Sequence, residues 1–523
     1  MLKLSAVAAA LISVALLVSG CDSTQPEDTA HTLHILAGSE LKDIVPLLSD
    51  FQKSSGYTVK FTYTGSLDGA QAIVSGDKSD LAWFSSGNYL TLLQGKSGRI
   101  IAQSPIMLSP VVLGVKHSVA QSLGWSGSTA VTWADIAAAA KAGKFHFAMT
   151  NPAASNSGFV ALVGVASAFA AGGNLDSGTI NLDKLKDFFS GQTMTAGSSG
   201  FLADAFLRQQ SRVDGLINYE SVLLELNAGG KLQQPLDLVF PKDGIITADY
   251  PLMLLNSAKR DGYDKLVAFL RSPDVQTKIM TTTDRRPSIP DVRPDSRFTS
   301  QLLVELPFPG NLNVVNNLIF DYLDQIRPPA HTYYVLDISG SMDGDRLDAV
   351  KKTFDNLTGA DQSITGQFAR LRAREEITII PFNGSVQDNQ TFTINDVSAN
   401  SPDLKAVRDY VNSLQANDGT AIYDALAQAY KDAESAQASE PDRFYSVVLM
   451  TDGENNSGQS AGDFQRFFKS ESTAVQQIPA FPIIFGEASP QDLTNIASLT
   501  GGQAFDSRNV SLATVFKVIR GYQ

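Results

Sequence analysis

Short apolar runs alternate with helical stretches along almost the whole chain, in two series separated by the pair Pro328-Pro329. In the first series residues 33–37, 59–63 and 81–84 read as strands, with helices at 41–53 and 70–75 between them. Further strands are predicted at 111–115, 145–149 and 216–219, and a helix over 311–326 ends before the two prolines. The second series places strands at 333–336, 377–380, 446–450 and 483–485. Alternation at this spacing predicts parallel sheets covered by helices, an α/β class of fold. Two prolines cannot continue a helix and mark a boundary between units. A chain of 523 residues has room for two or three domains of about 100–200 residues each.

Composition narrows the function classes. The chain is 43% hydrophobic, with 28 Phe and 14 Tyr, which is core-forming material rather than the make-up of a disordered segment. A net charge of −13 and no clustering of Lys and Arg argue against nucleic acid, because phosphate neutralisation needs grouped cations. His31, His34, His117, His146 and His331 are scattered without metal-ligand spacing. Cys21 is the one cysteine, so no intramolecular disulfide forms. No phosphate-cradling G-x-x-x-x-G-K loop is present and no His lies in a motif that would pair with a Ser nucleophile, so no enzyme is predicted.

The first twenty residues read as an address. Lys3 gives a positive start, and the apolar run over 4–17 is shorter than the ~20 residues of a spanning helix. Val18-Ser19-Gly20-Cys21 then resembles the lipobox of a bacterial lipoprotein signal. The resemblance implies removal of residues 1–20, lipid on Cys21 and a place in the cell envelope. Asp22 resembles the mark that keeps such lipoproteins in the inner membrane, facing the periplasm. Residues 21–30 are polar and read as a lipidated tether.

In the second unit the first strand runs into Asp337-Ile338-Ser339-Gly340-Ser341, a D-x-S-x-S turn. Ligands of doubly wound sheets sit beyond the carboxyl ends of the strands. One carboxylate and two hydroxyls there are hard oxygen donors of the kind Mg²⁺ takes. Thr420 follows on a loop before a helix, and Thr451-Asp452-Gly453 ends another strand. Asp and Ser also cap helices and turns, so no single one of these residues identifies a site. Together, in this order, they resemble the von Willebrand factor A domains over residues 330–523. The resemblance implies a doubly wound, Rossmann-like fold with a complete metal-ion-dependent adhesion site. Asp337, Ser339, Ser341, Thr420 and Asp452 would hold Mg²⁺, or Mn²⁺ or Ca²⁺, directly or through water. An acidic residue of a protein partner would complete the ion's shell. Asp343 and Asp345 read as the start of a solvated helix.

Residues 31–310 resemble the type 2 periplasmic solute-binding proteins. The resemblance rests on Ala37-Gly38-Ser39-Glu40-Leu41, Tyr63-Thr64-Gly65-Ser66-Leu67, Asn156-Ser157-Gly158 and Ile217-Asn218-Tyr219-Glu220. It implies two α/β lobes with a ligand cleft between them. Ser39, Ser66 and Ser157 fall at strand-to-helix turns, where backbone N–H groups favour an oxyanion, and they equally serve as helix caps. Asn156 and Tyr219 would instead hydrogen-bond a neutral polar solute. Residues 311–329 form a connecting helix and linker. The expectation is a membrane-anchored binding or scaffold lipoprotein that engages a protein partner and senses a small solute. The alternative is a solute receptor of an ABC-type transporter carrying the A domain as an accessory.

Overall fold

A computed structural model describes residues 29–170, 174–417 and 419–523. The expected signal over residues 1–20 and Cys21, the expected site of lipid, lie outside the described residues, as does Asp418.

The first module has two lobes, each built on its own sheet. One carries five strands in the order Thr58–Tyr63, Thr32–Ala37, Leu81–Trp83, Pro251–Leu254, Ala102–Pro105. The other is ordered Thr247–Ala248, Met107–Lys116, Gly215–Tyr219, Phe147–Thr150, Gln192–Ala196, with Leu236–Val239 and Arg286–Pro287 also on the long strand. Both sheets are mixed, which corrects the expectation of purely parallel ones. Pro251–Leu254 runs antiparallel to both of its neighbours, and Met107–Lys116 antiparallel to Gly215–Tyr219. The cause is the route of the chain. It leaves the first lobe after Ala102–Pro105, builds the second and comes back through Pro251–Leu254, so the returning strand meets the sheet from the other end. Tyr250, where the chain re-enters, has φ +42°, a left-handed conformation that costs a non-glycine residue energy.

The helix expected over 41–53 is two elements, a 3₁₀ stretch Ser39–Leu47 followed by the α-helix Leu48–Ser55. Pro46 explains the change, since it has no N–H to donate within an α-helix. At the second lobe's cleft edge, the helix Asn156–Phe169 starts hard against the strand Phe147–Thr150. A Cβ on Gly158 would lie 2.1 Å from the Thr150 carbonyl oxygen, so only glycine allows this approach.

The connecting helix Leu312–Asp321 ends in a wider turn, Tyr322–Ile326, before the prolines. It packs back on the first module: Tyr322 donates to Gln192 Oε1 at 3.0 Å, and Tyr89 donates to Asn316 Oδ1 at 3.1 Å.

The second module has six strands in the order Gln390–Thr393, Glu376–Phe382, Ala330–Asp337, Phe444–Thr451, Ala480–Ile484, Phe505–Asp506. All pair in parallel except the edge strand Gln390–Thr393. The central strand Ala330–Asp337 is buried along its whole length. Its residues alternate between two cores, as the strand period of two requires. Tyr333 and Val335 join the core under the helix Ile422–Ser439, while Tyr334 and Leu336 face the other side. That other core runs on without a break into the first module.

Candidate functional site

The register of the central strands decides what meets at their carboxyl ends. Leu336 pairs with Met450, so Asp337 and Thr451 come level, and Asp452 lies one step beyond. Asp337 accepts from the Ser339 backbone N–H at 2.7 Å and from the Thr451 hydroxyl at 2.6 Å. The Ser339 and Ser341 hydroxyl oxygens are 3.0 Å apart, and Ser341 donates to Asp452 Oδ1 at 2.8 Å. Thr420 is held by its backbone: its N–H donates to Asn456 Oδ1 at 2.8 Å, and its carbonyl accepts from Asn456 at 3.0 Å. A Cβ built on Gly453 would sit 3.8 Å from Ser341 Oγ and 4.0 Å from Thr420 Oγ1, so both hydroxyls border the same glycine. Asp337, Ser339, Thr420 and Asp452 are buried, whereas Ser341 is exposed and forms the open rim.

Burial pushes the Asp337 carboxyl above its usual range. Hydrogen bonds from Thr451 and Ser339 hold it back, and the charge of Asp452 adds to the push. The sequence reading names Thr451 only within its motif, with no role at the site, and does not point to Arg346. Thr451 caps the inner oxygen of Asp337, and Arg346, on the helix Asp345–Asp355, forms an ion pair with Asp452 Oδ2. Arg346 also lies 3.6 Å from Glu487. The available signal for Arg346 is its place in the first turn of the helix that follows the D-x-S-x-S loop. Asp343 and Asp345 are exposed at the start of that helix.

The donor set tests whether a cation fits. Among the described residues no group of three or more His, Cys, Asp and Glu gathers as a metal site. Here two carboxylates and three hydroxyls gather, hard neutral and anionic oxygens in the proportion Mg²⁺ or Mn²⁺ accepts. Arg346 supplies positive charge to the outer oxygen of Asp452 in the arrangement seen.

The five cleft residues separate. Ser39 borders a chamber of about 620 Å³, and Ser66 is buried at the start of the helix Ser66–Val74, whose preceding Gly65 borders the same chamber. Asn156 and Tyr219 come together, the amide donating to the phenol at 3.1 Å and the phenol to Ser85 Oγ at 3.0 Å. Ser157 is fully buried among hydroxyls, 2.8 Å from Thr150 Oγ1 and 2.7 Å from Ser199 Oγ. The sequence reading does not single out Tyr250 or Arg285. The Arg285 guanidinium stacks 4.9 Å from the centre of the Tyr250 ring and pairs with Asp43 at 2.6 Å.

The first module is a two-lobed α/β unit and the second a doubly wound sheet with a cluster of oxygen donors at its strand ends. The comparisons name the family of each. Residues 33–281 match the family model described as bacterial extracellular solute-binding protein, and residues 333–518 match that of the von Willebrand factor type A domain. The chain therefore joins a solute-binding module to a von Willebrand factor A module. Among curated relatives, inter-alpha-trypsin inhibitor heavy chain H3 of Pongo abelii is 28% identical over 190 residues, covering 34% of this chain and 20% of its own. The human H3 chain is 28% identical over 200 residues, covering 37% of this chain and 20% of its own. This chain thus spans about one-fifth of the length of those relatives. Among solved structures, the periplasmic binding protein AfuA of Actinobacillus pleuropneumoniae is 14% identical, with a TM-score of 0.44, covering 56% of this chain and 98% of its own. A von Willebrand factor type A protein of Catenulispora acidiphila is 20% identical, with a TM-score of 0.30, covering 37% of this chain and 42% of its own.

Proposed function

We propose that the protein is a membrane-anchored, extracytoplasmic binding protein, not an enzyme, that grips a protein partner through a Mg²⁺-dependent site and takes a small solute between its lobes. One observation carries the reading: hydrogen bonds link buried Asp337 to the Ser339 backbone N–H, the Ser339 hydroxyl to that of Ser341, and Ser341 to buried Asp452, with exposed Ser341 opening the set to solvent. Asp337 and Asp452 would ligate the ion, and Ser339, Ser341 and Thr420 would add neutral oxygens. A bound Mg²⁺ supplies a coordination position that a carboxylate oxygen of the partner can take. Limiting the chain's own charge to two carboxylates leaves the ion short of negative charge, and this favours an acidic partner. Thr451 and the Ser339 backbone N–H fix the Asp337 carboxylate so that its oxygens need no reorganisation. Lipid on Cys21 would hold the protein at the membrane, and the polar tether would set its reach.

The test is a photo-crosslinking amino acid placed at Glu487, beside the site, in the full-length protein within its native envelope. A discrete adduct should form with Mg²⁺, disappear with EDTA and be absent from the Asp337→Asn variant. The same adduct in EDTA would remove the metal from the mechanism.

A further inference from the structure

We propose that the chamber between the two lobes and the A module is a composite site for a small anionic solute, with Lys517 and Thr365 of the A module forming its third wall. The proposal rests on the solute-binding reading above. It adds a wall that no solute-binding module supplies by itself, and hence a link between solute occupancy and the seating of the A module.

The A module sits on both lobes at the mouth of the cleft. On the second lobe, the Tyr522 ring packs edge-on to Phe201 with centres 4.8 Å apart. Glycines make room for this seat from both sides. A Cβ on Gly197 would come 2.5 Å from the Tyr522 ring, and one on Gly521 would come 2.6 Å from Ala154 Cβ. Arg208 donates to the Gly501 carbonyl at 3.1 Å across the same junction. On the first lobe, Asp68 faces Lys517 and Thr365. One module in contact with both lobes cannot stay seated unchanged if the lobes alter their separation.

The chamber, partly open to solvent, is about 620 Å³, within the roughly 300–1,000 Å³ of small-molecule pockets. Its walls favour negative charge. Lys42 and Arg208 are held over the faces of Tyr63 and Phe201 and have no carboxylate at salt-bridge distance among the described residues. The helix Ser66–Val74 carries no side-chain cap, and its N-cap residue Gly65 borders the chamber. Lys517 reaches the chamber from the A module, 3.1 Å from Thr365 Oγ1 and 3.1 Å from Asp361. Arg520 is spent on the buried Glu375. Asp68 and Asp204 are the opposing groups on the walls. Burial pushes the Asp68 carboxyl up towards its neutral form against the pull of Lys517, which reduces its repulsion of an anion.

The experiment titrates the full-length protein with sulfate, inorganic phosphate and citrate by calorimetry, and follows hydrogen exchange over residues 512–523. At least one of the three should bind one to one and raise protection over 512–523. Lys517→Met should weaken that binding about tenfold, Thr365→Val more mildly, and Lys517→Arg should restore it. Lys42→Met, on the opposite wall, should also weaken it. Two A-module variants are used so that a folding defect in one leaves the other to decide. Binding of an anion with unchanged affinity in both variants and no change in protection would overturn the composite site while sparing the cleft. No binding of any of the three anions would overturn both.

Discussion

Replacing Asp337 with asparagine separates the metal role from the structural one, because the two have opposite signs in the structure. The amide has the same shape as the carboxylate and can keep the 2.7 Å bond from the Ser339 N–H, while the Thr451 hydroxyl turns to accept. Exchanging charge-assisted bonds for neutral ones costs about 1 kcal/mol. The carboxylate being replaced is, however, 1% exposed, and both burial and the charge of Asp452 already disfavour its ionised form. Removing that charge offsets the loss, so in EDTA the variant should melt within a few degrees of the parent. With Mg²⁺ at a hundred times its dissociation constant, the parent should gain about 2.7 kcal/mol. For a unit of this size that is about 5–10 °C in melting temperature. Asp337→Asn should lose the gain. Differential scanning calorimetry of both proteins, in EDTA and in saturating Mg²⁺, measures all four states. An equal Mg²⁺ shift in both proteins would place the ion elsewhere, and no shift in the parent with Mg²⁺ or Mn²⁺ would refute the metal site outright.

Three further outcomes follow from other parts of the chain. Glu375 is fully buried between Arg327 and Arg520, so Glu375→Ala strands two guanidinium groups and should cost about 3–5 kcal/mol by denaturant unfolding; a loss under 1 kcal/mol would show the cluster is not held as described. His331 is buried, and burial first, then the nearby Arg443, lowers its pKa from 6.5 to about 4. The unfolded chain therefore takes up a proton through that window while the folded chain does not, so stability present above pH 6.5 is lost as pH falls towards 4. At about 1.36 kcal/mol per unit the loss is about 3 kcal/mol, with the charge of Glu440 working the other way, and His331→Gln should flatten the profile. Cys21→Ser should abolish partitioning of the protein into detergent, measured by phase separation; equal partitioning would exclude a lipid at this position.

The sequence reading is strongest where side-chain period and chain order act locally. Strands at 333–336 and 446–450, the helix after Thr420 and the break before Pro328-Pro329 all have local causes, and the strands Ala330–Asp337 and Phe444–Thr451 lie at these places. Strand direction in the first module is not local. Nothing within Pro251–Leu254 shows that it returns from a second lobe, so its antiparallel pairing has no signature in its own residues. The hydroxyls of the cleft pose a related difficulty. Ser39 and Ser157 occupy similar turns in the sequence, yet one borders the chamber and the other is closed in by Thr150 and Ser199. Which of the two a serine becomes depends on the packing of distant elements. Arg346 is a further case, because a long side chain reaches Asp452 from a helix 106 residues away in the chain.

The two proposed activities use opposite edges of one sheet, and this sets how they can interact. The ligand oxygens gather where Ala330–Asp337 ends. The junction with the solute-binding module forms at the other edge, where Arg327 precedes that strand and Glu375 precedes Glu376–Phe382; Arg327 pairs with Glu375 and donates to the Gln523 carbonyl, and Glu375 pairs with Arg520. Eight residues of strand separate the two edges, about 26 Å at about 3.3 Å per residue. A partner bound at the metal edge therefore does not compete for space with the seat on the cleft. Any influence of solute on partner must pass through the sheet and its shared core, with no direct contact between them. That core is continuous from Leu33 to Tyr522. A solute that repositions the lobes therefore acts on the A module through packed side chains.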